Sequence, residues 1–433
     1  MRKERWKLNI ENLKEGIMNN EEVMEKESEI MLKIIDSQMG AGKTSYLIEK
    51  MKKDKKHKFI YITPFLDEVK RIETECKENK FVQPTNKNKF GSKLEGLKQL
   101  IIKGRNITST HSLFSMADEE LIMLLKSNNY ILVLDEVMDV VQQVENITSD
   151  DIKNLFDQEL IEISDEENGM VKWIAEGYNG RYNDIMAMAE AKTLYYVNNT
   201  LMVWAMPVEI FKVFDEIYLS TYLFDYQIQK YYYDYFNIEY EYYHIEGERG
   251  NYRLVKTENF DYDLDFRRKA KELITIVDNE KLNAIGEDEF SLSKKWYGKD
   301  INKNKVKQMQ KNIYNFFRNI SNTPSEDNMW TCFKDYKSKL KGKGYTKGFV
   351  PCNSRATNEF ANKSALVYTI NRYINPFYKA FFNVRNIEID EDGFALSELL
   401  QWIWRSQIRQ GKPIILYIPS KRMRELLEDF LDV

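Results

Sequence analysis

Residues 34–45 read IIDSQMGAGKTS, an apolar strand end that runs through a small-residue turn into a helix-forming stretch. Few local folds satisfy that order. Gly40 and Gly42 allow backbone conformations closed to other residues and a close approach of a ligand. The turn's N–H groups and the following helix N-terminus then converge on one anion. The pattern predicts a phosphate cradle for a nucleotide, built from Ser37, Gly40, Ala41, Gly42, Lys43, Thr44 and Ser45. Lys43 is expected to reach the β and γ phosphates and Thr44 to ligate Mg²⁺. Ser37 stands where the motif has its first glycine, as a small-residue replacement.

The segments after this loop alternate between apolar runs and helical patterns. KFIYITP, RNITST and YILVLDEV read as strands; TSYLIEKMKK, FLDEVKRIETECK and SLFSMADEELIMLLKS read as helices. Such alternation predicts an α/β fold with a parallel sheet and helices on both faces. Wholly apolar strands such as YILVLD belong at its centre. That strand ends in Asp135-Glu136, about 90 residues after the loop. Beside a phosphate cradle, Asp135 is expected to hold Mg²⁺ and Glu136 to orient and deprotonate an attacking water. An acid next to the metal ligand points to hydrolysis rather than a pure binding switch.

The rhythm changes after Val144. LIEISDEENGMVKWIA and LYYVNNTLMVWAMP read as two hairpins, the second around Asn198-Asn199. They form an expected insertion at about 145–205. FDEIYLSTYLF then returns to a buried strand. The expected organisation is a charged extension at 1–30, a first unit at 31–245 and a second α/β unit at 246–433. The second unit is read with helices near 264–278, 302–320, 364–382 and 396–410, and strands near 347–352 and 413–418. The tyrosines at 231, 232, 233 and 235 face all sides of a helix, so packing rather than base stacking is their expected role.

No run approaches the roughly 18 apolar residues of a membrane span. With no signal-peptide core at the start and three cysteines lacking a CxxC spacing, a cytoplasmic protein without zinc or disulfides is expected. The net charge of -4 hides an asymmetry. Residues 290–350 hold fourteen Lys or Arg against four Asp or Glu. Such a surplus marks a footprint for a polyanion, centred on KDYKSKLKGKGYTKG with Lys337 and Lys339.

Further segments carry a family resemblance. The series YITP, ITSTH, LDEV and IYLSTY, followed by QWIWRSQIR near the C-terminus, resembles the motif series of superfamily 2 helicases. It is similar to compact forms from phages and mobile elements and, more distantly, to origin-binding helicases of large DNA viruses. The resemblance implies two RecA-like P-loop NTPase domains with ATP and Mg²⁺ in the cleft between them. It implies that Thr63, Pro64, Ser109, Thr110 and His111 contact a nucleic-acid backbone, as short hydroxyl groups suit phosphate oxygens. Ser220 and Thr221 would couple nucleotide state to domain movement, with Tyr222 where the family has Thr. Gln401, Arg405 and Arg409 would face the γ-phosphate from one helix. There Trp404 replaces Gly, and the second arginine comes one residue late. Arg355, Thr357 and Asn358 would contact the backbone or ribose.

The implied activity is an ATP-dependent nucleic-acid motor, a DNA helicase or translocase of a bacterial or phage-infected cell. DNA is favoured over RNA by that resemblance, with replication proteins as further candidate partners and no membrane. Two alternatives stay open: a nucleotide-gated DNA-binding adaptor, and a terminase-like packaging ATPase. The latter would need a nuclease domain with clustered acids after the motor.

Overall fold

The computed structural model describes residues 31–87, 91–259, 261–352 and 358–433. The charged extension at 1–30 lies outside them. The first sheet begins with β1 (Met31–Asp36), β2 (Lys58–Thr63), β3 (Ile107–Thr110) and β4 (Tyr130–Asp135). Alternate residues of β4 serve opposite cores. Leu132 and Leu134 enter one cluster and Ile131 and Val133 the other. A strand covered on both faces must be apolar throughout, as β4 is.

The chain then leaves this sheet. The strands β5 (Val141–Gln143), β6 (Ile161–Asp165), β7 (Met170–Trp173), β8 (Leu194–Val197) and β9 (Leu201–Ala205) form an antiparallel sheet in the order β5-β9-β8-β7-β6. The two expected hairpins are therefore parts of one five-stranded sheet. Val141–Gln143, not read as a strand, pairs with β9 along its edge. Asn198 and Asn199 both adopt positive φ, 52° and 54°, as a tight two-residue hairpin turn requires.

The chain re-enters the first sheet as β10 (Glu216–Thr221), β11 (Glu241–Glu246) and β12 (Arg253–Lys256). The order is β12-β11-β1-β10-β4-β2-β3. Every pairing is parallel except β11 with β12. Thus β10 lies between the strand feeding the glycine loop and the strand ending in Asp135. The second sheet holds β13 (Ile274–Ile276), β14 (Asn328–Thr331), β15 (Ala365–Tyr368) and β16 (Ile414–Tyr417), all parallel, in the order β13-β16-β15-β14. It too is packed on both faces, with Leu366 and Leu416 in one cluster and Val367 and Tyr417 in the other. The protein is α/β, with one seven-stranded sheet, parallel but for its β12 edge, and one four-stranded parallel sheet.

The second sheet departs from expectation in three places. The helix read near 264–278 ends at Leu273, and Ile274–Ile276 is a strand. Residues 364–382 are not one helix: Ala365–Tyr368 is a central strand, and the helix is Pro376–Asn383. Pro376 forces the preceding residue out of helical conformation and suits the first helical turn. The Asn375 side chain accepts from the Phe377 N–H at 3.3 Å. Nor is there a strand at 347–352. Phe349 makes one isolated bridge to Trp330, and the sheet position belongs to Asn328–Thr331.

The tyrosine-rich helix Ile228–Tyr235 explains how the two sheets are joined. Tyr231, Tyr232, Tyr233 and Tyr235 are all buried. Tyr235 stacks on Phe381 of the helix Pro376–Asn383, with ring centroids 4.7 Å apart. The Tyr231 hydroxyl accepts the Asp390 N–H at 2.9 Å, and Arg385 donates to the Tyr235 carbonyl at 3.2 Å. The cluster is packing between segments of the first and second halves of the chain, as its all-round arrangement implied. Leu132, wholly buried in the central strand, should be sensitive to truncation. Leu132→Ala is expected to cost about 2–5 kcal/mol, seen in urea as a lower midpoint at unchanged slope.

Candidate functional site

The glycine loop springs from the carboxyl end of β1 and enters the helix Lys43–Lys53. Gly40 and Gly42 have φ of 88° and 94°. At Gly42 the constraint is double, because a Cβ there would sit 2.4 Å from the Tyr252 ring. The Ala41 N–H donates to the Gln38 carbonyl at 3.2 Å, closing the turn. The Lys43 ammonium folds back across the loop onto the carbonyls of Ser37 and Gln38. Burial pulls Lys43 below its ordinary value, opposed by Glu136, Asp36 and Asp135.

Ser37 has a use that a glycine would lack. Its hydroxyl accepts the Ile245 N–H at 2.9 Å, tying the loop's first residue to β11. Its own N–H donates to the Thr221 carbonyl at 3.1 Å. Asp36, one residue earlier, accepts the N–H groups of Leu223 and Phe224 at 2.9 and 2.8 Å. Burial pushes its carboxyl up to about 6 against these bonds and against Lys43.

Asp135 lies at the end of β4 and is buried. Tyr61, from β2, donates its hydroxyl to one carboxylate oxygen at 2.7 Å. The Thr44 hydroxyl stands 3.4 Å from the other. Burial, followed by neighbouring Glu136, pushes Asp135 up to about 6; Tyr61, Lys43 and Thr44 oppose the rise. A hydroxyl and a carboxylate converging at the root of a phosphate loop suit Mg²⁺. That ion takes one or two protein oxygens and completes its shell with phosphate and water. Glu136 has φ of 75°, a left-handed backbone that glutamate rarely adopts. Its N–H donates to the Ser220 carbonyl at 2.9 Å. The strand therefore breaks direction at the second acid, and such local strain clusters at functional sites.

The opposite wall comes from the second sheet's side. Gln401, Trp404, Arg405 and Arg409 line one cavity of about 290 Å³ with the glycine loop, Asp135 and Glu136. The expectation that both arginines share a helix fails. The helix Glu391–Ile403 ends before Arg405, and Arg409 sits in the separate turn Gln407–Gln410. Spacing along a helix therefore does not bring them together; the reversal of the chain after Ile403 does. Arg405 is buried and donates to the Pro351 carbonyl at 3.3 Å. Burial pulls it down to about 10, opposed by Glu398, Cys352 and Glu136. Arg409 is exposed.

The two departures from the motif series meet. Tyr222 packs edge-on against Phe266 at 5.9 Å, and Phe266 lies 4.9 Å from Trp404. The Tyr222 hydroxyl donates to Asp263 at 2.5 Å. Met39 of the glycine loop joins the same cluster. An aromatic at each position fills space that the smaller residues Thr and Gly would leave.

The remaining candidates scatter. Thr63 and Pro64 line the same cavity as the glycine loop, beside Glu68 and Arg71, because β2 neighbours β4. Ser109 is buried. The Thr110 hydroxyl is 3.2 Å from that of Ser112, and His111 opens the short helix His111–Phe114. The Ser220 and Thr221 hydroxyls are buried and without partners among the described residues. Lys337 and Lys339 lie over the rings of Phe349 and Tyr336 at 4.2 and 5.0 Å. Arg355 and Thr357 lie outside the described residues, and Asn358 opens the turn Asn358–Phe360. Sequence reasoning missed Asp36, Tyr61, Arg71 and Tyr252. Only Asp36 left a signal, as an acid directly after the apolar pair Ile34-Ile35.

Comparisons with known proteins now bear on this geometry. Residues 268–431 match the YonV C-terminal Rossmann-like domain and residues 141–204 the YonV middle domain. The chain is 43% identical over 412 residues to the SPbeta prophage-derived uncharacterized protein YonV of Bacillus subtilis (strain 168), covering 93% of this chain and 98% of that protein. The chain belongs to the YonV family. Among solved structures, S. tokodaii Xpd4 aligns at a TM-score of 0.47 and 12% identity, over 92% of this chain and 93% of that one. A structure described as an XPD helicase aligns at 0.42 and 10%, over 96% and 97%. Among the described residues no helix is long and apolar enough to cross a membrane.

Ser37→Ala removes the acceptor for a buried backbone N–H. It should cost about 1–3 kcal/mol in urea unfolding. Asp36 gives a pH signature. Its folded value of about 6 lies above the ordinary 3.8, so the folded state holds the proton more tightly. That contribution is full below about pH 4 and is lost as pH rises through about 6. The stability of the wild type minus that of Asp36→Asn should fall across this window and level off above it.

Proposed function

We propose that this protein is an ATP-dependent nucleic-acid motor, a DNA helicase or translocase that hydrolyses ATP between its two RecA-like sheets. The observation that carries the reading is the cavity in which Lys43, Thr44, Asp135 and Glu136 of one unit face Gln401, Arg405 and Arg409 of the other. At about 290 Å³ it sits at the lower edge of the range for ligand sites. A nucleotide bridging it would draw the two walls together.

In this reading the loop N–H groups and the helix N-terminus hold the phosphates. Lys43 exchanges the carbonyls of Ser37 and Gln38 for phosphate oxygens. Thr44 and Asp135 would hold Mg²⁺, which when bound offsets phosphate charge. Glu136 takes a proton from the attacking water. Arg405 and Arg409 offset the charge that develops at the γ-phosphate. The carbonyls of Ser220 and Thr221 tie β10 to both the acid and the loop, and Tyr222 carries any movement of that strand to Trp404. Superfamily 2 resemblance supplies the choice of ATP and DNA. A nucleotide-gated adaptor is the reading to adopt if nucleic acid leaves turnover unchanged.

The test is steady-state ATPase turnover with and without single-stranded DNA. Stimulation is expected; its absence with DNA and with RNA overturns the motor. Lys43→Ala and Glu136→Gln should abolish turnover while circular dichroism stays native, and wild-type turnover in either misassigns the site. Arg405→Ala should lower turnover by about 10³–10⁵, the range for a charge-stabilising arginine.

A further inference from the structure

A second cavity adjoins the first and is much larger. Its volume is about 1310 Å³, above the roughly 300–1,000 Å³ of small-molecule sites. Gln401 and Arg405 belong to the walls of both cavities. So does the loop after β4: Asp135 and Glu136 face the nucleotide side, while Val137, Met138 and Asp139 face the larger one. The Met138 N–H is fixed by Gln229 at 2.7 Å. Whatever occupies the large cavity therefore touches residues one peptide bond from the catalytic acids.

Its lining combines cations with aromatic rings, of which Phe290 is exposed. Lys294, Lys295, Lys299, Arg372 and Lys379 contribute positive charge, and Asp139, Glu391 and Glu398 negative charge. Glu398 pairs with Arg372 at 3.5 Å and Glu391 with Lys379 at 3.0 Å. Lys294 reaches Asp335 only at 4.0 Å. Lys295 and Lys299 are exposed and have no carboxylate partner among the described residues. Phe290, Tyr336, Tyr373 and Tyr378 supply the rings. Phe290 is 62% exposed, an unusual state for a phenylalanine, and stands 5.7 Å from Tyr373.

We infer that this cavity is the seat of a single-stranded nucleic acid. The inference rests on the motor reading and gives it a path. Uncommitted cations along a cleft with aromatic faces are what a strand of phosphates and bases requires, and they need no base sequence. Bases stacked within a duplex are not free to lie on these rings. The assignment moves the contact surface away from Thr63 and Pro64, which line the nucleotide cavity. It also makes Arg405 and Gln401 the partition through which strand and nucleotide sense each other.

The experiment is fluorescence anisotropy of a labelled oligothymidine 16-mer with the full chain. Lys294→Glu with Lys295→Glu should raise Kd at least about tenfold and flatten the log–log salt slope by about 1.4, at about 0.7 per lost phosphate contact. Phe290→Ala should raise Kd about five- to 160-fold, the loss of one stacked base. Lys52→Glu with Lys56→Glu, exposed, outside the cavity and outside residues 290–350, makes the same charge change and should move Kd less than about threefold. A hairpin duplex should bind at least about tenfold more weakly than the single strand. Photo-crosslinking of a 4-thiothymidine strand should mark peptides containing Phe290 or Tyr373, a readout that needs no variant. If wild type binds neither DNA nor RNA, the motor reading falls. If it binds and the cavity variants bind equally well, or crosslinks fall elsewhere, this inference falls and the motor reading stands. Equal loss in both charge reversals, or equal affinity for duplex, overturns it as well.

Discussion

Backbone hydrogen bonds at the carboxyl end of β10 hold the rest of the site in place. The Thr221 carbonyl receives the N–H of Ser37, and the Ser220 carbonyl receives that of Glu136. One strand end thus fixes both the root of the glycine loop and the second acid of the pair. This depends on β10 lying between β1 and β4. Side-chain hydrogen bonds could relax with temperature or pH. Two ladder bonds on one buried strand cannot shift without moving the sheet. The convergence of Thr44 and Asp135 across 3.4 Å follows from this spacing.

The opposite wall is held differently. Among the described residues no strand is shared by the two sheets. Contact passes through aromatic side chains, Tyr235 on Phe381 in one place and Tyr222, Phe266 and Trp404 in another, and through side-chain hydrogen bonds at Tyr231 and Arg385. Rings slide and tilt against one another at small cost, whereas ladder bonds do not. The first half of the site is rigid by its backbone; the relation between the halves rests on packing and on these side-chain bonds.

Much of the first sheet was legible in the sequence because its central runs, Tyr130–Leu134 above all, are buried on both faces and so apolar. The glycine loop and Asp135-Glu136 were legible for a related reason, since a strand end that must turn sharply admits few residues. The second sheet was harder to read. Asn328–Thr331 is four residues long and polar at both ends. Ala365–Tyr368 is short, apolar and followed by apolar residues at mixed spacing, which strand and helix share. The end of the helix at Ile403 carries no Pro or Gly signal, so Arg405 and Arg409 read as one helical face. Asp36, Tyr61 and Tyr252 act through contacts between distant segments, and no local pattern announces those. The role of Ser37 was hidden likewise, since its partner Ile245 lies 208 residues away.

The Tyr222–Phe266–Trp404 contact has a consequence for how such a chain varies. Each of Tyr222 and Trp404 departs from the motif series alone, and each fills room beside the same phenylalanine. Replacing Trp404 by glycine would leave Phe266 facing a void; replacing Tyr222 by threonine would leave Asp263 with Arg267, 2.9 Å away, and without its hydroxyl donor. The three positions form one packing unit. Among relatives that fold this way, they should covary as a set, and a sequence that carries one of the bulky residues without the others marks a different junction between the two sheets.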